Sequence, residues 1–166
     1  FSKIAYMLQM PRSDILDYAK NEKASEAKSA VAEGEVRRAE LSSAEKQEIE
    51  SRISVAQKWL EKFAPDSYKF SIVKKLPKVS KKLSLEQKEF IGKILKLYQS
   101  QEKWTGEDLH PKIHEIRKEL NIDPREAFSA IYLIFIGKDS GPQVGWLLAS
   151  LEREFVLRRL EEVAKV

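Results

Sequence analysis

Apolar residues recur at helical spacing through the middle of this chain. Between residues 49 and 63, steps of three or four residues separate the members of one apolar series: Ile49, Ile53, Ala56, Leu60 and Phe63. This spacing places the series on one face of a helix, and we expect that face to form part of a core. The preceding residues 42–45 (Ser-Ser-Ala-Glu) match a capping box, and Pro65 ends the pattern.

Five further helices with short loops are expected from about residue 84 onward. Capping sequences at residues 84–87 (Ser-Leu-Glu-Gln) and 105–108 (Thr-Gly-Glu-Asp) begin two of them. Asp123 caps the third, which has Pro124 in its first turn and Glu126 in the capping-box position. The run that follows is apolar on nearly every side, so the third helix is expected at the centre of the fold.

The end of that central helix has its own signals. Gly137 is placed to end it in a left-handed turn, and residues 138–141 then form a tight loop. Pro142 can open the fourth helix and Ser150 the fifth. A strand-like apolar run occurs only at residues 132–136, where the caps on both sides favour a helix. The predicted fold class is all-α, a multi-helix array.

The N-terminal quarter carries weaker patterns. Apolar residues at helical spacing in the first nine positions predict a short helix that Pro11 breaks. Ser13 or Asp14 can cap another short helix that extends through Tyr18. Residues 22–40 alternate acids, lysines and alanines with few large apolar groups, which predicts an exposed helix or a partly mobile connector.

Charge adds one localised feature. The net charge of +4, from 30 Lys and Arg against 26 Asp and Glu, says little by itself. Residues 67–85, however, contain six lysines and no acid: Lys69, Lys74, Lys75, Lys78, Lys81 and Lys82. Such a block attracts phosphate groups, although a solvated linker fits it equally well. Pro77 interrupts the segment, so irregular or short extended structure is expected there.

Composition excludes several classes of protein. The chain has no cysteine, which rules out a disulfide framework, a thiol nucleophile and a cysteine-bound zinc. Its longest apolar run falls far short of the roughly 20 residues that a membrane span needs. Because the sequence starts at Phe1 without methionine, we expect it to be a segment of a longer chain.

No active site is evident in the residues. His110 and His114 lie one helical turn apart and could ligate a metal with Asp108 or Glu107, but no third ligand is predicted nearby, so a helix-surface pair is favoured. Neither a nucleophile elbow nor a phosphate-binding glycine loop occurs. We therefore expect no catalytic residue and no cofactor in this chain.

Two stretches carry a family resemblance. The longer is F-S-A-I-Y-L-I-F-I-G-K-D-S-G-P-Q-V-G-W-L-L-A-S-L-E-R-E-F-V-L-R-R-L, at residues 128–160, and the shorter is A-Q-K-W-L-E-K-F-A-P, at residues 56–65. Together they resemble the C-terminal region of class I lysyl-tRNA synthetases. The G-K-D-S-G-P corner is the more specific motif, and the two stretches cover about a quarter of the chain.

The resemblance implies a function that residues alone would not give. It implies a helical cage that receives the anticodon loop of tRNA, specifically tRNA(Lys). The ATP- and Mg²⁺-dependent attachment of lysine would belong to a catalytic domain in the same parent chain, in the cytoplasm. The catalytic motifs of such enzymes are not found here. Residues 78–82 (Lys-Val-Ser-Lys-Lys) resemble one of them only superficially and are interpreted as basic surface.

The resemblance also suggests a division of the chain. Residues 1–66 would form a helical bridge towards the tRNA stem and the catalytic domain, residues 67–83 a basic connector, and residues 84–166 the helical cage that binds the anticodon.

Reading an unpaired anticodon needs cations for phosphates, flat side chains for stacking, and donors for base edges. The candidates for these RNA contacts are Lys74, Lys75, Lys78, Lys81, Lys82, Trp104, Arg125, Lys138, Ser140, Gly141 and Trp146. Lys138 stands in the motif and is the first choice among the lysines. Exposure is expected for Trp104, whereas Trp146 either seals the corner or lines a pocket. Arg125 either reaches a base edge or pairs with Glu126 or Asp123.

Other residues are interpreted as structural. Trp59 and Phe128 fall in helical stripes and are assigned to the core. Arg153, Arg158 and Arg159 are expected to form surface ion pairs with neighbouring glutamates.

Two alternative functions stay open, which are the equivalent cage of a glutamyl-tRNA synthetase and a helical protein-interaction module. Salt separates RNA binding, which weakens steeply, from binding through an apolar groove.

Overall fold

A computed structural model describes residues 2–12, 15–16, 18–20, 23 and 40–164. The chain divides into two compact units. The first comprises Phe1–Gln9 and Ser13–Tyr68, and the second comprises Met10–Arg12 and Lys69–Val166. The expected caps at Ser13 and Asp14 lie outside the described residues, as does the expected connector at residues 22–40 apart from Lys23 and Glu40.

The first unit contains helix α1 (Ser2–Met7) and helix α2 (Ser43–Lys62), which pack against each other. The predicted capping box starts α2, because the Ser42 hydroxyl accepts from the Glu45 amide at 3.3 Å and the Ser42 amide donates to the Glu45 carboxylate at 2.8 Å. Within α2 only Ala56 is buried. The assignment of Phe63 to the core is wrong, because 74% of that residue is exposed.

The second unit begins with irregular chain and a 3₁₀ helix, Lys78–Lys82, and continues with five α-helices. These are α3 (Leu85–Gln99), α4 (Gly106–Glu119), α5 (Pro124–Phe135), α6 (Val144–Ser150) and α7 (Arg153–Ala164). In the part of the chain that the structure describes, all regular elements are helical, which confirms the all-α prediction. Among the described residues, every helix is too short or too polar to span a lipid bilayer.

Helix α5 lies at the centre of the second unit, as predicted. Six of its twelve residues are buried: Ala127, Ala130, Ile131, Tyr132, Ile134 and Phe135. Helix α3 contributes Phe90, Ile91 and Ile94 to the same core and also packs along α7. Asp123 caps α5 by accepting from the Arg125 amide at 2.8 Å. At the other end Gly137 adopts a φ of 69°, the left-handed conformation expected of it.

Helices α4 and α6 cross at very short range because glycines lie at the crossing. A β-carbon on Gly145 would stand 2.5 Å from the His110 amide nitrogen, and one on Gly106 would stand 2.5 Å from the Trp146 ring. A β-carbon does not come so close to a heavy atom of another part of the chain. Both positions therefore require glycine for the helices to meet as they do.

Candidate functional site

A cleft of about 660 Å³ lies beside the first half of α5 in the second unit. Its walls come from α5 and from the loop that follows it, namely Pro124, Arg125, Glu126, Phe128, Ser129, Tyr132, Asp139, Ser140 and Gly141. Three of the predicted RNA-contacting residues, Arg125, Ser140 and Gly141, are thus brought together. The volume falls in the range of small-ligand pockets.

The loop reaches the cleft because it folds back along α5. The Tyr132 hydroxyl donates to the Pro142 carbonyl at 2.6 Å, which fixes the far end of the loop to the middle of the helix. Gly141 allows the close approach, since a β-carbon there would lie 2.7 Å from Ile136 Cδ1 and 3.0 Å from Tyr132 Cδ1. The G-K-D-S-G-P corner therefore places the exposed residues Asp139 and Ser140 beside the helix.

Charges in the cleft are mixed. Arg125 is exposed, and among the described residues no carboxylate lies within ion-pair distance of its guanidinium. Arg125 therefore does not form the ion pair with Glu126 or Asp123 that was one of its two predicted roles. Glu126 and Asp139 add two carboxylates to the same cleft. One cation with two anions is a poor receptor for phosphate and a suitable one for a neutral group with donors and acceptors.

Phe128 supplies a flat apolar wall. The assignment of Phe128 to the core is wrong, because its side chain is half-buried and lines the cleft. Its ring stands edge-on to His114 with centroids 4.8 Å apart, His114 to His110 at 4.7 Å, and His110 to Trp146 at 5.4 Å. A ladder of four rings thus runs from the α4–α6 crossing to the cleft and supports Phe128 from behind.

The two histidines serve this ladder. Burial is the main cause that lowers the pKa of His110 and of His114, and the positive charge of Arg117 lowers the latter further. The imidazole Nδ1 of His110 accepts a hydrogen bond from the Gly145 amide at 3.4 Å. Within the described ranges no group of three or more His, Cys, Asp or Glu is arranged to hold a metal.

The two tryptophans proposed for stacking lie elsewhere. The expectation that Trp104 is exposed is wrong, because it is only 9% exposed and its indole donates to the Tyr98 carbonyl at 3.3 Å. Trp146 is half-buried over Gly106 and seals the helix crossing. Neither ring lines the cleft, so Phe128 and Tyr132 are the flat side chains that the structure places there.

The basic segment presents its cations to solvent. All five of the predicted phosphate-binding lysines are exposed: Lys74, Lys75, Lys78, Lys81 and Lys82. Lys78 and Lys81 also line a small cavity of about 130 Å³ together with Lys88 and Glu162. Lys138, the first choice among the lysines, is half-buried, and its ammonium group donates to the Lys69 carbonyl. In the structure that ammonium holds the start of the segment beside the loop.

The prediction that Arg159 lies on the surface of its helix is wrong. It pairs with Glu162 at 3.4 Å as expected, but it is only 2% exposed and its guanidinium donates to three backbone carbonyls. A signal for its burial exists in the sequence. Arg159 follows Val156 by three residues and precedes Val163 by four, and both valines are buried on the inner face of α7.

Comparisons with known proteins identify relatives of this chain. A family model described as "Anticodon binding domain" matches residues 58–164. The chain is 36% identical over 121 residues to the lysine–tRNA ligase of Pyrococcus horikoshii, covering 73% of this chain and 23% of that protein. It is 33% identical over 145 residues to the ligase of Methanosarcina barkeri (78% and 27% covered) and 39% identical over 112 residues to that of Thermococcus kodakarensis (68% and 21% covered). The chain thus spans about a quarter of the length of these relatives.

Proposed function

Because this chain belongs to the family of anticodon-binding domains, we propose that its second unit binds the anticodon loop of a tRNA. We further propose that the parent protein attaches lysine to tRNA(Lys) in the cytoplasm. ATP and Mg²⁺ would act in a catalytic domain of that same parent chain. The names of the relatives favour lysine over the glutamyl-tRNA synthetase alternative.

One observation carries the proposal at the level of the site. The cleft combines a flat wall, Phe128, with an exposed guanidinium, Arg125, and an exposed polar loop at Ser140. An unpaired nucleobase needs a face to stack on and polar groups at its edge. The carboxylates of Glu126 and Asp139 disfavour a phosphate in the same place.

Phosphates would bind at the lysine segment instead. Its exposed ammonium groups have no acid among them in sequence from residue 67 to residue 85. We therefore assign two tasks to two places, with bases in the cleft and backbone phosphates on Lys74, Lys75, Lys78, Lys81 and Lys82.

Titration of the chain with tRNA(Lys), and with the same tRNA carrying a changed anticodon, tests this assignment at several salt concentrations. We expect Phe128→Ala and Arg125→Gln to reduce the discrimination between the two tRNAs. Replacing Lys74 and Lys75 by Gln should weaken both complexes equally and lower the salt dependence, by a slope of about 0.7 for each single-strand phosphate lost. Lys112→Gln with Lys118→Gln, two exposed positions on α4, is the charge-matched control.

The alternatives give different results. Equal binding of both tRNAs by the unaltered chain would mean that the lysine segment holds phosphates without reading the anticodon. Absence of binding to either tRNA would remove the proposal and favour the protein-interaction module, for which binding should not fall steeply with salt.

A further inference from the structure

Arg159 is a charged side chain in an unusual place. Only 2% of it is exposed, and burial lowers the pKa of its guanidinium. A guanidinium removed from water is unfavourable unless its N–H groups find partners. The partners that it finds therefore show what the residue is for.

Those partners join two parts of the second unit. One terminal nitrogen of Arg159 donates to the Ile134 carbonyl in the last turn of α5. The other donates to the Val73 and Lys74 carbonyls, each at 2.9 Å. The Nε atom lies 3.4 Å from the Glu162 carboxylate, and the guanidinium lies 5.0 Å from the centre of the Phe155 ring. One side chain thus binds the lysine segment to the end of the central helix.

A backbone hydrogen bond reinforces the same junction. The Val73 amide donates to the Phe135 carbonyl at 2.9 Å. Carbonyls in the last turn of a helix have no partner within the helix, and here Arg159 and Val73 supply partners for Ile134 and Phe135. Hydrogen bonds therefore fix the backbone at Val73 and Lys74 to the C-terminal end of α5.

The side chains of Lys74 and Lys75 nevertheless remain exposed, next to this fixed backbone. A flexible cation loses conformational freedom when it binds a phosphate, whereas a cation on a fixed backbone has less to lose. Lysines on a fixed backbone should therefore bind RNA more tightly, and release more counterions on binding, than the same lysines on a flexible backbone.

We propose that Arg159 is a positioning residue for RNA binding, which fixes the backbone at Val73 and Lys74 so that the Lys74 and Lys75 ammonium groups meet two neighbouring phosphates. The inference rests on the proposed function. Arg159 itself touches no RNA, since it is only 2% exposed and donates to backbone carbonyls within the protein.

Arg159→Met tests the inference, and Arg158→Met is its matched control. Both remove one positive charge from adjacent positions of α7, but Arg158 is exposed. We expect Arg159→Met to weaken RNA binding about tenfold and to lower the slope of log K against log salt by about 1.4, the value for two single-strand phosphates. Arg158→Met should change affinity less than about twofold.

A double-mutant cycle separates positioning from general destabilisation. Replacing Lys74 and Lys75 by Gln should weaken binding strongly in the unaltered chain and hardly at all in Arg159→Met, because badly placed lysines have little left to lose. An equal loss in both backgrounds would overturn the inference.

Val73→Pro approaches the junction from the other side and guards against misfolding of Arg159→Met. It removes the Val73 N–H and leaves the guanidinium in place. We expect the same fall in salt slope, with the helical circular dichroism retained. An unchanged slope in a folded Val73→Pro variant would count against the proposal.

The controls also separate this inference from the proposed function. If the unaltered chain distinguishes the two anticodons while Arg159→Met keeps its salt slope, only the positioning role fails. If the unaltered chain binds no RNA, both fail.

Discussion

Helices α2 and α5 both begin with a well-formed cap, yet they are stabilised differently. Helix α2 has 20 residues and buries only Ala56, whereas α5 has 12 residues and buries six. The first depends on local signals such as the Ser42 capping box, and the second on packing from several sides. The comparison shows that apolar spacing identifies a helix face without telling how completely that face will be covered.

Two matched isoleucine substitutions should differ most in the stability that they cost. Ile131→Ala in α5 removes a fully buried side chain, and we expect a loss of about 4 kcal/mol of unfolding free energy in the second unit. Ile53→Ala in α2 removes a half-buried one and should lower the stability of the first unit by only about 1 kcal/mol. Residue-resolved hydrogen exchange reports the units separately. Equal losses would show that the α2 face is packed as well as the core of α5.

Glycine substitutions test how tightly helices α4 and α6 are packed where they cross. Gly145→Ala places a methyl group against the backbone of His110, which cannot move aside, and should destabilise the second unit by about 2 kcal/mol. Gly92→Ala is the control, because apart from its chain neighbours and the nearby backbone of α3 no atom lies within 4 Å of the new β-carbon. It should raise stability by about 0.5 kcal/mol through helix propensity. Chemical denaturation followed by tryptophan fluorescence measures both, and a stabilised Gly145→Ala variant would contradict the short helix crossing.

The ring ladder predicts a pH dependence in the second unit alone. Because the pKa values of His110 and His114 are lowered on folding, the unfolded chain binds more protons below the ordinary histidine pKa of 6.5. Stability should be complete above pH 6.5 and decline as pH falls below it. Denaturation midpoints between pH 8 and pH 5 measure the decline, since most carboxylates stay ionised there. His114→Gln should flatten the profile, and an unchanged profile would exclude the histidines as its source.

Removing a capping box should give a small loss of stability, and a similar one in both units. Ser42→Ala and Ser84→Ala each remove the same N-terminal hydrogen bond and should cost about 1 kcal/mol. The hydrogen bond from Lys23, followed by those from Ser42, lowers the pKa of Glu45 to about 2. Its contribution is present above pH 4.5 and is lost as pH falls towards 2. An NMR titration of Ser42→Ala should show the pKa of Glu45 raised but still below 4.5, since Lys23 remains.

Local signals account for what could be predicted from the sequence. The caps at Ser42, Ser84 and Asp123 and the stop at Gly137 depend on nearest neighbours, and the structure has each of them. The placement of Phe128 depends on which partners reach a helix face after folding. Spacing could not decide between core and cleft wall there.

The wrong predictions at the site concern side chains that could lie either in solvent or in the folded interior. Trp104 follows a polar run, but the buried Tyr98 carbonyl receives its indole N–H, a contact made only in the folded unit. Arg159 has glutamates nearby in sequence, so a surface ion pair was the simplest interpretation. Its three carbonyl partners are 25, 85 and 86 residues away and leave no local trace.

The contact between Gly106 and Trp146 also constrains how this chain can diverge. The indole occupies the space in which a side chain at position 106 would stand. A lineage that gains a β-carbon at 106 must therefore first replace the tryptophan by something smaller, since the opposite order passes through a clash. The two positions should therefore change together, and position 146 should change before position 106.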